Sequence, residues 1–556
     1  MPRRWLVTAS AAALLLLAPH AVADSASVHF AIDAQQDVRP ISRFVYGING
    51  PLEGACSNCA FTRIGGNRLT AYNWENNASN AGTDWYNQND GLLSSSDTPG
   101  EAVRPGIANA QAKNAGIVVT VPINGYVAAD KDGGGDVDQT PNYLQVRFKQ
   151  ERAAKGAPFT LTPDPTDAYV YQDEFVNWVN HEFPDAQSPD HPVFYCLDNE
   201  PDLWPSTHPR IHPDPTTYAE LAQKTIDYAA AIKNVSPAAL VFGPVNYGWY
   251  GYTALQGAPD AGGRDFQEFW LAQVAAAEQA AGHRLVDVLD VHWYPEATGG
   301  GTRITGTDTT PAVVAARLQA PRSLWDPGYT ETSWITQYST LGPIRLIPRL
   351  FDKIAADDPG TRLAITEYNY GGGGHISGAI AEADVLGIFG REGVFAAAEW
   401  PLASDESYIG AAFQMFRDFD GANGSFGDVS VQAATDDVAD TSIYASRDSG
   451  DPTRMVLVAL NKTGAPLVAA VQLASAGPVT AAHAYQLTSA GAVPVDAGPV
   501  ATSGPQGLEY AMPAYSVSTL VLSVPEPRDA SALAVTALLW LRRRYSSVSR
   551  SFASTL

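Results

Sequence analysis

Two glutamates stand where this chain could do acid–base or nucleophilic work. Glu200 ends the apolar run "HPVFYCLDNE" and is followed at once by Pro201, which cannot donate to a sheet ladder. Glu367 ends a second run, "RLAITE", and leads into "YNYGGGG". In both places a β-type stretch stops abruptly at a carboxylate. Two carboxylates at one site are what glycosidic bond cleavage demands. One protonates the leaving oxygen, while the other attacks the anomeric carbon or activates water. A separation of about 5–5.5 Å gives retention of configuration and a wider one gives inversion. Asn199, directly before Glu200, adds an amide suited to a sugar hydroxyl. The plainer reading makes both glutamates polar lips of strands; the repetition of the pattern at two strand ends favours chemistry.

The pair needs elements that bring it together. Short apolar runs ending in polar or aromatic residues recur: "FTRIGGNR", "GIVVTVPINGY", "HPVFYCLDNEP", "ALVFGPVNYGW", "LVDVLDVHWYPE", "TRLAITEYNYGGG" and "GVFAAAEWPLA". Helical patterns lie between them, such as "TTYAELAQKTIDYAAAIKN" and "GRDFQEFWLAQVAAAEQAAG". Alternating strands and helices argue for parallel βα units, and this many strand ends carrying polar groups favours a (β/α)8 TIM-like barrel over an open sheet. The barrel is expected over residues 46–428. Between Glu200 and Glu367 there is room for roughly three βα units; two strands are legible there. Residues 429–523 alternate apolar and polar residues between Gly, Pro, Asp and Asn turns, the texture of an antiparallel β-sandwich. The early run "SVHFAIDAQQ", within residues 24–45, is expected to pair into that sandwich.

Other residues fall near the expected barrel mouth. His292 and Tyr294, on the strand ending "DVHWY", are placed to orient Glu367, with a satisfied core histidine as the alternative for His292. Arg63 holds a carboxylate or a sugar hydroxyl, or makes a structural salt bridge. Trp74, Trp334 and Trp400 are candidates for stacking on the apolar face of a sugar, with Trp204 and Trp325 behind them. "ADKDGGGDVDQ" sets Asp130, Asp132, Asp136 and Asp138 close together among glycines. Oxygen ligands at alternate positions suit a structural calcium ion, and a solvated acidic loop is the alternative. The glutamate chemistry itself requires no cofactor.

The bulk properties bound the partners. The chain has 556 residues, a net charge of −24 and a pI near 4.7, which disfavours nucleic acid and anionic membrane surfaces. Twelve Trp and 24 Tyr leave ample aromatic surface for neutral ligands. Residues 1–23 read as a secretory signal peptide: Arg3 and Arg4, a short apolar stretch, then Ala21-Val22-Ala23. An exported or cell-surface protein of a bacterium follows. Residues 524–556 place Pro525-Glu526-Pro527 before a short apolar segment and Arg542-Arg543-Arg544. That order resembles a PEP-CTERM tail read by sorting machinery, and its apolar part is too short for a stable membrane span. Of three cysteines, Cys196 reads as a buried small hydrophobe. Cys56-Ser-Asn-Cys59 closes a small disulfide, binds metal or does neither.

Stretches in order from Thr62 to Pro401 resemble glycoside hydrolase family 44. They include "TRIGGNRLTAYNWENNASNAGTDWY", "DNEPDLWPSTHPRIHPDPTTYAEL", "FGPVNYGWYGY" and "ITEYNYGGGGHISGAIAEADVLGIFGREGVFAAAEWP". The resemblance implies a (β/α)8-like barrel with a β-sandwich built from both chain ends. It also implies a secreted, retaining endo-β-1,4-glucanase acting on cellulose derivatives and xyloglucan, with Glu200 as acid/base and Glu367 as nucleophile. An acid must keep its proton near neutrality, so Glu200 is expected to titrate high. Rival readings are a barrel glycanase of other specificity, such as a xylanase or mannanase, and a non-catalytic carbohydrate-binding surface protein. The "CSNC" turn is not part of the resemblance.

Overall fold

A computed structural model describes residues 27–525; the expected leader and the tail beyond Pro525 lie outside them. Eight short strands close into an all-parallel barrel: β1 (Gly47–Asn49), β2 (Phe61–Ile64), β3 (Gly116–Val121), β4 (Val193–Leu197), β5 (Val241–Asn246), β6 (Val288–Trp293), β7 (Arg362–Tyr368) and β8 (Ala396–Glu399). Each pairs with the next along the chain, and β8 returns to β1. Seven of these are the apolar runs of the sequence. β1 is the addition: at three residues it is too short to show a pattern. Between Glu200 and Glu367 there are two barrel strands, β5 and β6, and no third. The spare length forms the hairpin Thr298–Arg303 and the helices Pro311–Gln319, Trp334–Tyr338 and Leu346–Asp357.

The strands read as nearly continuous apolar runs because both of their faces are buried. Phe61, Val118, Phe194, Cys196, Phe242, Val288, Ala364 and Ala396 point into the barrel and fill it. Bulky rings on β2, β4 and β5 face alanines on β7 and β8, so the interior is packed solid below the mouth. Cys196 is buried there beside Thr120 Oγ1, at 3.3 Å, as the small hydrophobe its neighbours imply. Ile117, Val119, Leu197, Val241 and Leu289 face outward under the helical ring. Two helices of that ring start on side-chain caps: Thr217 accepts from Glu220 N, and Asp265 accepts from Glu268 N.

The C-terminal strands form an extended antiparallel system that folds into two leaves over a shared core of Val28, Phe30, Ile32, Leu457, Val471, Leu520 and their neighbours. The N-terminal strand Ser27–Asp33 does join it, and not at its edge. It runs antiparallel to Val429–Thr435 on one side and parallel to Leu467–Ala474 on the other.

The helix Ile376–Glu392 fastens the two parts together. It is buried along almost its whole length, between β7 and the sheet. Gly387 permits the approach: a Cβ there would lie 2.3 Å from the ring of Tyr444. One turn earlier, Asp384 accepts a hydrogen bond from Tyr444 Oη at 2.5 Å. Lys462 Nζ lies 2.7 Å from its other oxygen, and both charged side chains are at most 2 % exposed. The lysine contact is an ion pair rather than a directed hydrogen bond. Breaking such a pair strands a charge in a dry interior at a cost of about 3–5 kcal/mol. Lys462→Met is therefore expected to lower the unfolding free energy by about that amount in a denaturant titration. A loss below about 1 kcal/mol would show that the pair is solvated.

Candidate active site

Glu200 and Glu367 sit at the C-terminal ends of β4 and β7, and backbone irregularities aim both. β7 carries one extra residue against both neighbours. Val291 pairs with Ile365 but His292 with Glu367; on the other side Ile365 pairs with Ala397 but Tyr368 with Glu399. Simple alternation would put Thr366 inside and Glu367 outside; the bulge brings Glu367 to the mouth as well. At the tip of β4, Asp198 and Glu200 both hold left-handed backbone, with φ of 68° and 45°. For residues with a Cβ that conformation costs about 1–3 kcal/mol and persists only where surroundings enforce it. Asp198 supplies the enforcement. Its buried carboxylate accepts from Ile123 N at 2.7 Å, Asn199 N at 2.8 Å and Trp204 Nε1 at 3.1 Å. Glu200 N in turn donates to Val245 O at 3.1 Å.

Arg63 sits at the centre. It lies two residues beyond Phe61 on the interior face of β2, and its side chain is fully buried. Nη1 donates to Glu367 Oε1 at 2.5 Å and to Asn49 Oδ1 at 3.2 Å, while Nη2 donates to Asn199 Oδ1 at 2.7 Å. Tyr294 Oη donates to the second oxygen of Glu367 at 2.8 Å. His292 stands between the two glutamates, with Nδ1 2.8 Å from Glu200 Oε1 and 3.4 Å from Glu367 Oε2. Facing oxygens of the two glutamates are within 4.8 Å of each other.

The two carboxyls differ in charge environment. Burial pushes Glu200 up to about 7, against an opposing pull from Arg63 and with a small addition from Asp84. His292 is driven down to about 3 by burial, so its imidazole is neutral at working pH. Tyr294 is held protonated, raised by burial and by the Glu367 carboxylate it donates to. Glu367 alone of the two glutamates has a guanidinium and a phenol on its oxygens. The arrangement presents one carboxyl that keeps its proton to near neutrality opposite one held in place by two donors.

Of the residues expected from sequence, Glu200, Glu367, Arg63, Asn199, His292 and Tyr294 converge here. Asn199 is buried, and its oxygen is taken by Arg63 and by Gly66 N; its amide donates to Asn67. Its oxygen is therefore spent on the site wall, while Nδ2 has one N–H beyond the bond to Asn67. Trp400 follows β8, half-buried, with its ring over Gly66 beside Arg63. Trp334 is 38 % exposed on the short helix behind the β6 hairpin, with Tyr338 exposed one turn on. Trp74 is a correction: it is 1 % exposed, stacked on Phe175 and bonded through Nε1 to Tyr171 O, so it offers no face to a ligand. Trp204 is likewise core, spent on Asp198. Trp325 is capped by Arg391 at 4.0 Å, away from the mouth.

The acidic loop is tied to arginines. Asp130 is forked by Arg147, and Asp136 and Asp138 by Arg210. Arginine charges neutralise these carboxylates, and with Asp132 they do not converge as a ligand set. Among the described residues only Glu200, His292 and Glu367 gather three metal-binding groups, and there the Arg63 guanidinium already supplies the positive charge.

Sequence reasoning missed Trp85 and Tyr86. They are 54 % and 66 % exposed and packed edge to face at 4.9 Å. They follow Asp84, which Asn67 ties to Asn199. Their signal was the "DWY" triplet after glycine, but no apolar run marked it as a strand end. Asp198 and Asn49 were also missed, being polar residues that brace others.

Gly65 makes room for Arg63: a Cβ there would lie 2.1 Å from its Cζ. Gly65→Ala is expected to displace the guanidinium and lower kcat/KM by roughly 100-fold, with the circular dichroism of the folded protein retained. Full activity in that variant would mean that Arg63 is not needed where it lies.

Comparison with known proteins points to one family. The family model described as glycoside hydrolase family 44 matches residues 78–297. Endoglucanase A of Paenibacillus lautus is 41 % identical over 540 residues, covering 94 % of this chain and 76 % of that protein. The family 44 endoglucanase structure from Clostridium acetobutylium has a TM-score of 0.86 at 38 % identity, covering 89 % of this chain and 99 % of its own. The Paenibacillus polymyxa xyloglucanase structure with xyloglucan gives 0.85 at 38 %, covering 90 % and 100 %.

Proposed function

The chain belongs to glycoside hydrolase family 44 and is a glycoside hydrolase, and from that premise we propose that it is an exported endo-β-1,4-glucanase cutting cellulose-type glucans and xyloglucan with retention. The observation that carries the mechanism is the pair of unequal carboxyls with facing oxygens within 4.8 Å, at the retaining end of the scale. Glu200 gives its proton to the glycosidic oxygen as the bond to C1 breaks. Glu367, held by Arg63 and Tyr294, attacks C1 from the opposite face and forms a glycosyl ester. The Glu200 carboxylate then takes a proton from water, which attacks C1 and frees Glu367. Arg63 and Tyr294 act twice: they orient the attacking oxygens, and they stabilise the same carboxylate as it leaves.

A β-1,4-glucan suits the surroundings. Its pyranose rings present apolar faces, and Trp400, Trp334 and the Trp85–Tyr86 pair give such faces aromatic partners at the mouth and rim. The substrates named for the relatives, an endoglucanase and a xyloglucanase, point the same way. Export is supported by the leader, and no helix among the described residues is long and apolar enough to cross a membrane.

Hydrolysis of carboxymethyl cellulose, xyloglucan, xylan and mannan by the wild type, Glu200→Gln and Glu367→Gln tests this reading. Wild-type cutting of a β-1,4-glucan is expected, with each folded variant lower by roughly 100- to 10,000-fold. Activity surviving in both variants, or wild-type cutting of xylan or mannan alone, would overturn it. NMR of the first product should show the β-anomer.

The pH dependence has a definite sign. Because Glu200 must be protonated and its carboxyl in the free enzyme is raised to about 7, kcat/KM should fall about tenfold per unit above that value. A rate that rises through pH 8 would give the acid role to another group.

A further inference from the structure

Cys56 and Cys59 lie in the connection between β1 and β2, outside the catalytic machinery. The turn Cys56-Ser57-Asn58-Cys59 is closed by Cys59 N donating to Cys56 O at 3.0 Å. A four-residue turn of that kind holds its end Cα atoms within about 7 Å, and a disulfide spans about 4.4–6.8 Å. Both cysteines are free thiols in this structure, at the two ends of that one turn. Both are buried, at 8 % and 3 % exposure. Helix Ser407–Arg417 and the loop after it lock the turn from outside: Arg417 Nε donates to Asn58 O at 3.2 Å, and Asn58 Nδ2 donates to Asn423 Oδ1 at 2.9 Å. The third cysteine, Cys196, is inside the barrel with Thr120 as its neighbour and no thiol within reach.

Two thiols held together in this way suit a metal or a disulfide. A structural zinc site needs four ligands, and no third metal-binding group joins the two sulfurs among the described residues. That leaves the covalent bond. We propose that Cys56 and Cys59 close a disulfide while the chain folds, before the turn docks on the helix, and that the closed ring clips the approach to β2.

The reaction is thiol–disulfide exchange with a disulfide-bearing oxidant, such as oxidised glutathione or an exchange catalyst of the compartment that receives exported chains. One cysteine thiolate attacks a sulfur of the oxidant and expels one thiolate, leaving a mixed disulfide. The second cysteine thiolate attacks the protein-side sulfur and expels the other. Two S–H bonds are lost, one S–S bond forms, and the two electrons and two protons end on the oxidant as two thiols. The timing follows from the folded environment. There the neighbouring Cys59, burial and the Glu382 carboxyl hold the Cys56 thiol well above its ordinary range, and neither sulfur is open to a bulky oxidant. Exchange therefore belongs to the undocked turn. Its functional bearing is positional: Cys59 stands two residues ahead of β2, and Arg63 is the third residue of that strand.

The test counts thiols in the full chain and does not depend on glycanase activity. The protein is refolded in a mixture of oxidised and reduced glutathione, denatured without reductant, alkylated and weighed intact. Of the three cysteines of the chain, one is expected to be alkylated, and none in Cys196→Ser. Three alkylated cysteines, or glutathione left attached to Cys56 or Cys59, would overturn the proposal. For the clip, protein refolded with oxidised glutathione is compared with protein refolded in dithiothreitol. The oxidised form should melt higher; an equal or lower midpoint would overturn the clip even if the bond forms.

Discussion

A guanidinium withdrawn from water has to find acceptors for its protons, and most of this mouth is organised around satisfying one. Arg63 is fully enclosed, and its acceptors come from different barrel strands or their ends: Asn49 from β1, Asn199 from beyond β4 and Glu367 from β7. Loss of any one leaves charge or dipole unpaired where water cannot compensate, at a cost of several kcal/mol. The requirement works in both directions. It fixes Glu367 in one orientation, and it makes the closure of the barrel a condition of burying the arginine at all. Asn49 adds a second tie by donating to the backbone of β7 and β8.

The same charge distribution separates the two carboxyls. A single buried cation cannot serve two glutamates equally, and here it touches one. Glu200 has a neutral imidazole for a neighbour, so burial is the dominant influence on it. A protonated histidine at that position would stabilise the Glu200 carboxylate and draw its carboxyl down. Burying His292 is what keeps the ring neutral. Asp290 lies deeper; burial raises its carboxyl to about 7, while Thr366 Oγ1, donating at 2.8 Å, pulls the other way.

The strand ends were readable because a buried parallel strand is a run of apolar residues, and a polar residue at its end is conspicuous. That logic found Glu200, Glu367, His292 and Arg63. It failed where a residue's partners, and not its own type, decide its place. Asn199 stands out in sequence as an amide beside the acid, and nothing local says that its oxygen is spent on Arg63 and Gly66 N. Trp74 and Trp85 are eleven residues apart in one continuous loop region, and nothing local says that the first is packed on Phe175 while the second is exposed. The four aspartates resembled a calcium loop because the arginines that neutralise most of them, Arg147 and Arg210, come from elsewhere in the chain. β1 escaped notice for a different reason: three residues carry no periodicity, and only the closure of the barrel demands an eighth strand. The bulge in β7 and the left-handed turn at Glu200 have no sequence signature, since both are imposed by hydrogen bonds from distant residues.

The position of Ser27–Asp33 within the sheet bears on how the molecule is made. This strand is the first described segment to leave a ribosome, yet both of its neighbours lie beyond residue 428. All of the barrel lies between it and its partners in chain order, so it keeps both edges unpaired until the whole barrel has emerged. The barrel strands can close on one another without it, but the sheet is completed only when strands from beyond residue 428 capture this segment. Two unpaired edges for that long invite pairing with another chain, so a holdase that keeps the N-terminal segment covered would serve this protein more than one that acts on the barrel. The same threading means that the gene cannot be cut at a single point into a catalytic piece and an accessory piece.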